Sequence, residues 1–298
     1  DLARRDFTIN AMALRLSEPA GSLLDRFGGR LDLEAGLVRV LHPGSFRDDA
    51  TRMVRACRYA ARFGFEIEAS TLAALQREVR YVETISGARL RAELTRALVE
   101  PAAPDTAVMM NDLRVLRSIH PVLYIPMRKS RRAAMEAWRQ LLSGRSAVDP
   151  EELGFCMIAG PHSHDDAAAV AERLSLTTRV RDAVDDLVRL DEVRDKLERR
   201  DARPSQVVRI LEGLAPSAVL AFGLKSGAWL STVAARYVTE WRTVRPSLDG
   251  HDLAALGIEG VLAGEALRRL RQARLDGEVG SRQEETDLVR QEFGANGT

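Results

Sequence analysis

The chain has 298 residues, 45% hydrophobic and 29% charged, with a formal net charge of +1 at pH 7. That is enough chain for two or three compact units with real cores, in an ordinary globular composition, and too balanced in charge for bulk electrostatics to name a partner. No run approaches the apolar length of a membrane span, since "SAVLAFGLKSGAWL" is broken by Lys225. Two cysteines, Cys57 and Cys156, give no disulfide framework, and no signal peptide is visible. The expectation is a reducing, cytoplasmic setting.

Residues 1–44 are the only β-flavoured part. "MALRLS" and "SLLDRF" flank "EPAG" and predict a hairpin; "GGRLDLEAG" predicts one short helix and "LVRVL" a strand. "HPGS" then breaks the chain. The next stretch, "FRDDATRMVRACRYAAR" (46–62), predicts a single helix burying Phe46, Ala50, Met53, Val54, Cys57 and Ala61. Ser45 with Asp48 three residues on fits a capping box.

The other face of that helix admits two readings. Asp48 and Arg52 are four apart, so one reading is a solvated face with intrahelical ion pairs. The other is a nucleotide site. Asp49 and Arg52 lie one turn apart, an acceptor beside a donor, and Arg55 and Arg58 continue at three-residue steps. A carboxylate accepts from an exocyclic amine while a guanidinium donates to the neighbouring ring nitrogen, a pattern that cytosine and adenine match. Uracil and guanine would leave polar groups unmatched, at about 1–3 kcal/mol each. The further arginines would hold a triphosphate by charge and bidentate geometry.

From there the reading is nearly all helical. "STLAALQREVRYVETI" starts with Ser70 as cap, and "SGARLRAELTRALVE" places Leu90, Leu94 and Leu98 four apart before Pro101. "PDTAVMMNDLRVLRSI", "RRAAMEAWRQLL", "DDAAAVAERL", "VRDAVDDLVRLDEVRDKLERR", "PSQVVRILEGL" and "GAWLSTVAARYVTEWRTV" follow. The tail "SLDGHDLAALGIEGVLAGEALRRLRQARLDGEV" alternates short helices with glycine stops. The predicted class is mainly α, with a small α/β remnant at the start. Residues 47–132 hold 16 Lys+Arg against 10 Asp+Glu and end in "RKSRR", while "RRLRQAR" lies at 268–274. Both tracts suit a phosphate backbone, and both equally suit solvated helix surface.

Three patterns in one order, "RRDFTINAMA" (4–13), Asp25 with Gly28–Gly29, and "DDATRMVRACRYAARFGFEIE" (48–68) followed by "LRAELTRAL", resemble the class II tRNA nucleotidyltransferase and bacterial poly(A) polymerase family. These are the CCA-adding and A-adding enzymes. The first hundred residues match well, the last fifty moderately, the middle by helical character alone.

The resemblance implies a head remnant at 1–44, a nucleotide-selecting neck at 45–120, a helical body at 121–245 and a tRNA-binding tail at 246–298. It implies phosphate contact by Arg5, support from Asp6 and Asn10, and a flexible element at Asp25, Gly28 and Gly29. Asp49 and Arg52 would pair with the incoming base, and Arg55 and Arg58 would hold the triphosphate. Arg128, Lys129, Arg131, Arg132, Arg268 and Arg271 become candidate tRNA contacts.

The implied activity is addition of CCA to the tRNA 3′ end from CTP and ATP. The alternatives are an A-adding enzyme, a poly(A) polymerase, or a helical RNA-binding module without polymerase chemistry.

Two departures stand out. The family's template begins Glu-Asp, where this chain has Asp48-Asp49, so the bracing of the base-reading pair is expected to differ. The family's G-S-x-D-x-D element, whose carboxylates hold Mg²⁺, has no counterpart here: Asp48-Asp49, Asp165-Asp166 and Asp185-Asp186 are adjacent pairs that point about 100° apart on a helix. No metal site is therefore expected in this chain. The ligands are expected in a segment of roughly a hundred residues upstream of Asp1, and the chain alone is expected to be inactive. His162, His164 and Asp165 in "GPHSHDDAAA" hint at the metal phosphohydrolase site of some relatives, but read better as a polar turn and helix cap.

Overall fold

A computed structural model describes residues 1–17, 21–125, 131–144 and 148–294. It is mainly α, with its strand pairings near the N-terminus. β1 (Met12–Leu14) and β2 (Leu23–Asp25) form the predicted antiparallel hairpin, with Met12 opposite Asp25. The turn residues 18–20 lie outside the described set. α1 (Gly29–Ala35) follows, and β3 (Leu37–Val38) pairs in parallel with β4 (Glu66–Ile67). Asp25 starts α1 by accepting from the N–H groups of Gly29 and Arg30, both at 2.9 Å. Gly28 takes a left-handed φ of 74°, and a Cβ on Gly29 would sit 2.2 Å from Thr8 O, so both glycines are required, for different reasons.

Residues 46–62 do not form one helix. α2 (Ser45–Asp48) stops at Asp49, whose backbone is extended (φ −153°, ψ 100°), and α3 (Thr51–Phe63) begins after Ala50. Asp49 itself causes the break. Its Oδ1 accepts from the Thr51 N–H at 3.1 Å and the Thr51 hydroxyl at 2.7 Å, a local bond that aspartate prefers to a helix interior. The expected Ser45–Asp48 capping box is absent, because Ser45 lies inside α2 and its Oγ accepts from Arg52 instead. The buried stripe is as read, except that Ala61 is half-buried and Ala56 and Ala60 join it.

α4 (Ala69–Glu78) is capped by Glu68 rather than Ser70. Glu68 Oε2 accepts from the Thr71 N–H at 2.9 Å and from the Ser70 hydroxyl at 2.6 Å, a longer side chain reaching what Ser70, already inside the helix, cannot. A 3₁₀ segment, Val79–Thr84, leads to α5 (Gly87–Leu98) and α6 (Ala103–Asp112). The helix expected from Pro104 to Ile119 is interrupted at Arg114, in a left-handed conformation (φ 64°), before α7 (Val115–Ile119).

Then come α8 (Arg131–Ser143), α9 (Pro150–Ile158), α10 (His164–Arg173), α11 (Thr178–Glu192), α12 (Arg194–Glu198), α13 (Pro204–Leu211), α14 (Pro216–Ser226) and α15 (Ala228–Thr239). α9 from Glu152 to Ile158 and α14 from Ser217 to Leu224 are buried at every residue, and both lie at the centre of the core. Lys225 closes the end of α9, Nζ donating to Cys156 O at 2.7 Å and Ala159 O at 2.6 Å. One core runs from Phe7 to Trp241. α16 (Gly250–Ala255), α17 (Gly260–Asp276) and α18 (Arg282–Phe293) gather a second, around Leu253, Leu270 and Val289. Among the described residues no single helix is long and apolar enough to cross a membrane.

Candidate functional site

The charged face of α3 packs between the first ten residues and α5. Asp6 is the tie. Its Oδ1 accepts from the Phe7 N–H at 2.9 Å and from Asn10 Nδ2 at 3.0 Å, while Oδ2 accepts from Arg55 Nε at 2.8 Å and lies 2.6 Å from Nη2. Arg55 also reaches Glu93 at 3.5 Å and the Tyr59 hydroxyl at 3.2 Å. Burial disfavours charge on Arg55, but the Asp6 carboxylate outweighs it and the pKa is raised. One turn on, Arg58 pairs with Glu100, which Arg62 shares at 3.3 Å.

The base-reading candidates stand at the break between α2 and α3. Arg52 is held by Ser45 Oγ (2.6 Å to Nη1) and Arg4 O (3.0 Å to Nη2). Asp49 has Oδ1 on Thr51 and Oδ2 on Arg89 Nη2, at 2.8 Å. Burial pushes the Asp49 carboxyl up, but the Thr51 donors and the Arg89 guanidinium outweigh it, and the net shift is downward. Asp48 points elsewhere: it is exposed and sits 3.4 Å from His42 Nε2, not on Arg52. Thus the pair is braced by Ser45 and Arg89. Arg5 is exposed and makes no side-chain bond among the described residues, so it is free to meet a ligand.

The arrangement offers an ionised acceptor at the break before α3 and a guanidinium donor in its first turn, with Arg55 and Arg58 beyond them along α3. Comparison with known proteins points the same way. Residues 1–39 match the family model described as "Poly A polymerase head domain", and residues 64–125 the one described as "Probable RNA and SrmB- binding site of polymerase A". An A-adding tRNA nucleotidyltransferase of Geobacter sulfurreducens is 32% identical over 97% of this chain and 34% of its own length. One from Halalkalibacterium halodurans is 27% identical over 98% of this chain and 68% of its own. The solved Thermotoga maritima CCA-adding enzyme complexed with tRNA superposes with a TM-score of 0.82 at 28% identity, covering 97% of this chain and 72% of that one. The chain belongs to the class II tRNA nucleotidyltransferase and poly(A) polymerase family. It spans about a third of the Geobacter relative's length.

Other residues with family-implied roles lie away from this cluster. Arg131 begins α8, 3.7 Å from Asp112, and Arg132 is exposed beside it. Arg268 is exposed on α17, whereas Arg271 is engaged with Glu212 at 2.7 Å and Val244 O at 3.2 Å. Arg128 and Lys129 lie outside the described residues. In "GPHSHDDAAA" Ser163 caps α10, and His164 Nδ1 bonds Asp185 Oδ1 at 2.5 Å. That is a polar turn and cap.

For Mg²⁺, the metal the family implies, the carboxylates present do not fit. Asp48 faces His42, Asp49 faces Thr51 and Arg89, and Asp186 accepts from the Ala215 N–H. Among the described residues no three His, Cys, Asp or Glu side chains are arranged to hold a metal ion. Sequence reasoning missed Ser45 as a brace, and it missed Arg89, Glu93 and Glu100. The signal was there in "ARLRAELTRALVE": Arg89, Glu93, Arg96 and Glu100 fall at steps of four, three and four, a charged row along α5 and the turn after it, from which Glu93 and Glu100 reach α3 and Arg89 reaches Asp49.

Proposed function

We propose that this chain supplies base selection, triphosphate contacts and RNA binding to an enzyme that extends the 3′ end of tRNA with C and A. The observation that carries the reading is the pair Asp49 and Arg52, each pinned by bonds from outside its own turn, Asp49 by Arg89 and Arg52 by Ser45 and Arg4. Held in place, the carboxylate accepts from the exocyclic amine of cytosine or adenine while the guanidinium donates to the adjacent ring nitrogen. Uracil and guanine set a carbonyl against the carboxylate and an N–H against the guanidinium, and buried mismatches of that kind are what sites reject most strongly. Arg55 and Arg58 share their charge between Asp6, Glu100 and a triphosphate, and Arg5 adds a free guanidinium. The terminal ribose hydroxyl attacks the α-phosphorus and gives its proton to solvent; one P–O bond forms and the bond to pyrophosphate breaks. The solved relatives with tRNA and with ATP support the substrate class.

A second reading, addition of A alone, is favoured by the A-adding relatives matched along nearly the whole chain and by Asp48, which does not brace Arg52. Nucleotide incorporation by the gene's full-length product separates the two. With tRNA lacking CCA and tRNA ending in CC, offered each nucleotide in turn, two C and one A followed by a stop is the expected result. Addition of A alone selects the second reading. Long A tails would make the protein a poly(A) polymerase. Tight tRNA binding without incorporation would overturn the enzyme reading in favour of an RNA-binding module.

A further inference from the structure

We propose that Arg89, on α5, is a positioning residue for base selection: it fixes the plane of the Asp49 carboxylate so that one acceptor site remains for the base. The proposal rests on the reading of Asp49 and Arg52 as the base-selecting pair. A carboxylate offers about four acceptor sites, two on each oxygen. Asp49 Oδ1 has both occupied, by the N–H and the hydroxyl of Thr51. Oδ2 has one occupied, by Arg89 Nη2 at 2.8 Å. What is left is a single acceptor site on one oxygen, the requirement for reading one amine hydrogen. The Thr51 bonds alone pin one corner of the carboxylate and leave its plane free to swing. The Arg89 bond supplies the second corner.

Arg89's own helix gives no other reason for its place. It lies in the first turn of α5, where the backbone N–H groups make positive charge unfavourable. Its neighbours Leu90 and Leu94 are fully buried, so the backbone that carries Arg89 is anchored by the core. The Arg89 side chain is 57% exposed and forms this contact across forty positions of sequence. Glu93 on α5 and Glu100, two residues past its end, hold Arg55 and Arg58. α5 and the turn after it therefore brace the α3 face, and Arg89 is the contact with the base-reading end.

The test uses the full-length protein and tRNA ending in CC. For Arg89→Ala, kcat/KM for ATP is expected to fall about tenfold while that for GTP changes little, so the ATP-over-GTP ratio falls by the same factor. KM for tRNA and the melting temperature are expected to stay put, and Arg89→Lys is expected to recover part of the ratio. Combining Arg89→Ala with Asp49→Ala is expected to add nothing to Asp49→Ala alone. An equal fall for both nucleotides, with the ratio intact, would overturn the proposal. Should Arg89→Ala fail to fold, Arg89→Gln is read in its place by the same criterion. Asp49→Ala separates the two levels. If it leaves the ratio unchanged, the base-selecting reading fails and this proposal with it; if it flattens the ratio and Arg89→Ala does not, the role of Arg89 alone is refuted.

Discussion

Asp49 uses one carboxylate for two tasks. It interrupts a helix by turning back onto Thr51, and in the proposed function the interruption presents its other oxygen to the base. Asp49→Ala in the full-length protein is therefore expected to blur the choice of C and A over U and G. It should also lose about 1 kcal/mol of stability with the two bonds from Thr51, visible as a small drop in denaturation midpoint. Retention of strong C and A preference would remove the template reading. Glu68 gives a prediction in pH. Burial pushes its carboxyl up, but the donors on Ser70 and Thr71 outweigh burial and hold it down from 4.5 to about 2. A depressed carboxyl stabilises the fold fully above the unfolded value and loses that contribution as pH falls through the folded one. Stability should drop between pH 4.5 and 2, and Glu68→Gln, which keeps a cap oxygen, should flatten that acid limb in a urea titration. At this scale the sequence showed which charges line one short stretch of chain, though not the break within it. Arg52, Arg55 and Arg58 were legible from their spacing as one face of α3, whereas the bonds from Ser45 to Arg52, Arg89 to Asp49 and Glu100 to Arg58 were not, because they span between 7 and 42 positions.

Among the elements, the amphipathic ones were legible and the central ones were not. α3, α5 and α11 each carry one apolar stripe and one charged face, and the 3.6-residue period finds them. α9 and α14 are buried all round, so they have no polar face to set a period against, and "PEELGFCMI" and "PSAVLAFGLKS" offered only apolar content. Their glycines explain how they pack so closely. A Cβ on Gly154 would lie 2.6 Å from the Leu98 Cβ of α5, and one on Gly223 would lie 2.6 Å from the Ala234 Cβ of α15. Gly154→Ala and Gly223→Ala are each expected to destabilise by about 1–3 kcal/mol, since the neighbours are themselves core atoms with no free direction to move. The midpoint of guanidinium unfolding measures this, and an unchanged midpoint would mean that the helices separate without strain. Residues 46–62 show the opposite error: a continuous apolar period across Asp49 and Ala50 hid a break that a single side chain enforces.

At the scale of the whole molecule, the described residues gather into two cores of unequal size. The smaller is fastened at Glu285, which is fully buried and accepts from the N–H groups of Ser247 and Leu248, each at 2.9 Å, and from Arg274. Glu285→Ala leaves those donors without an acceptor, at an expected cost of about 3–5 kcal/mol confined to residues 248–293. Hydrogen exchange is the measurement: α16, α17 and α18 should lose protection while α9 and α14 keep theirs. Uniform loss across both cores would refute the separation. The glycine stops of the tail made its short helices legible, but Glu285 was not, because nothing in "RQEETDLVRQEF" distinguishes the buried acid from its exposed neighbours. The larger core carries both thiols. Cys57 lies under the α3 site and Cys156 on α9, each with no exposed surface and each pushed by burial to about 12. Neither sulfur can react with an alkylating reagent while its surroundings stay closed. Two natural clocks are thus built into the chain, one beneath the candidate site and one in the central helices, and their separate alkylation times would show which of the two regions opens first.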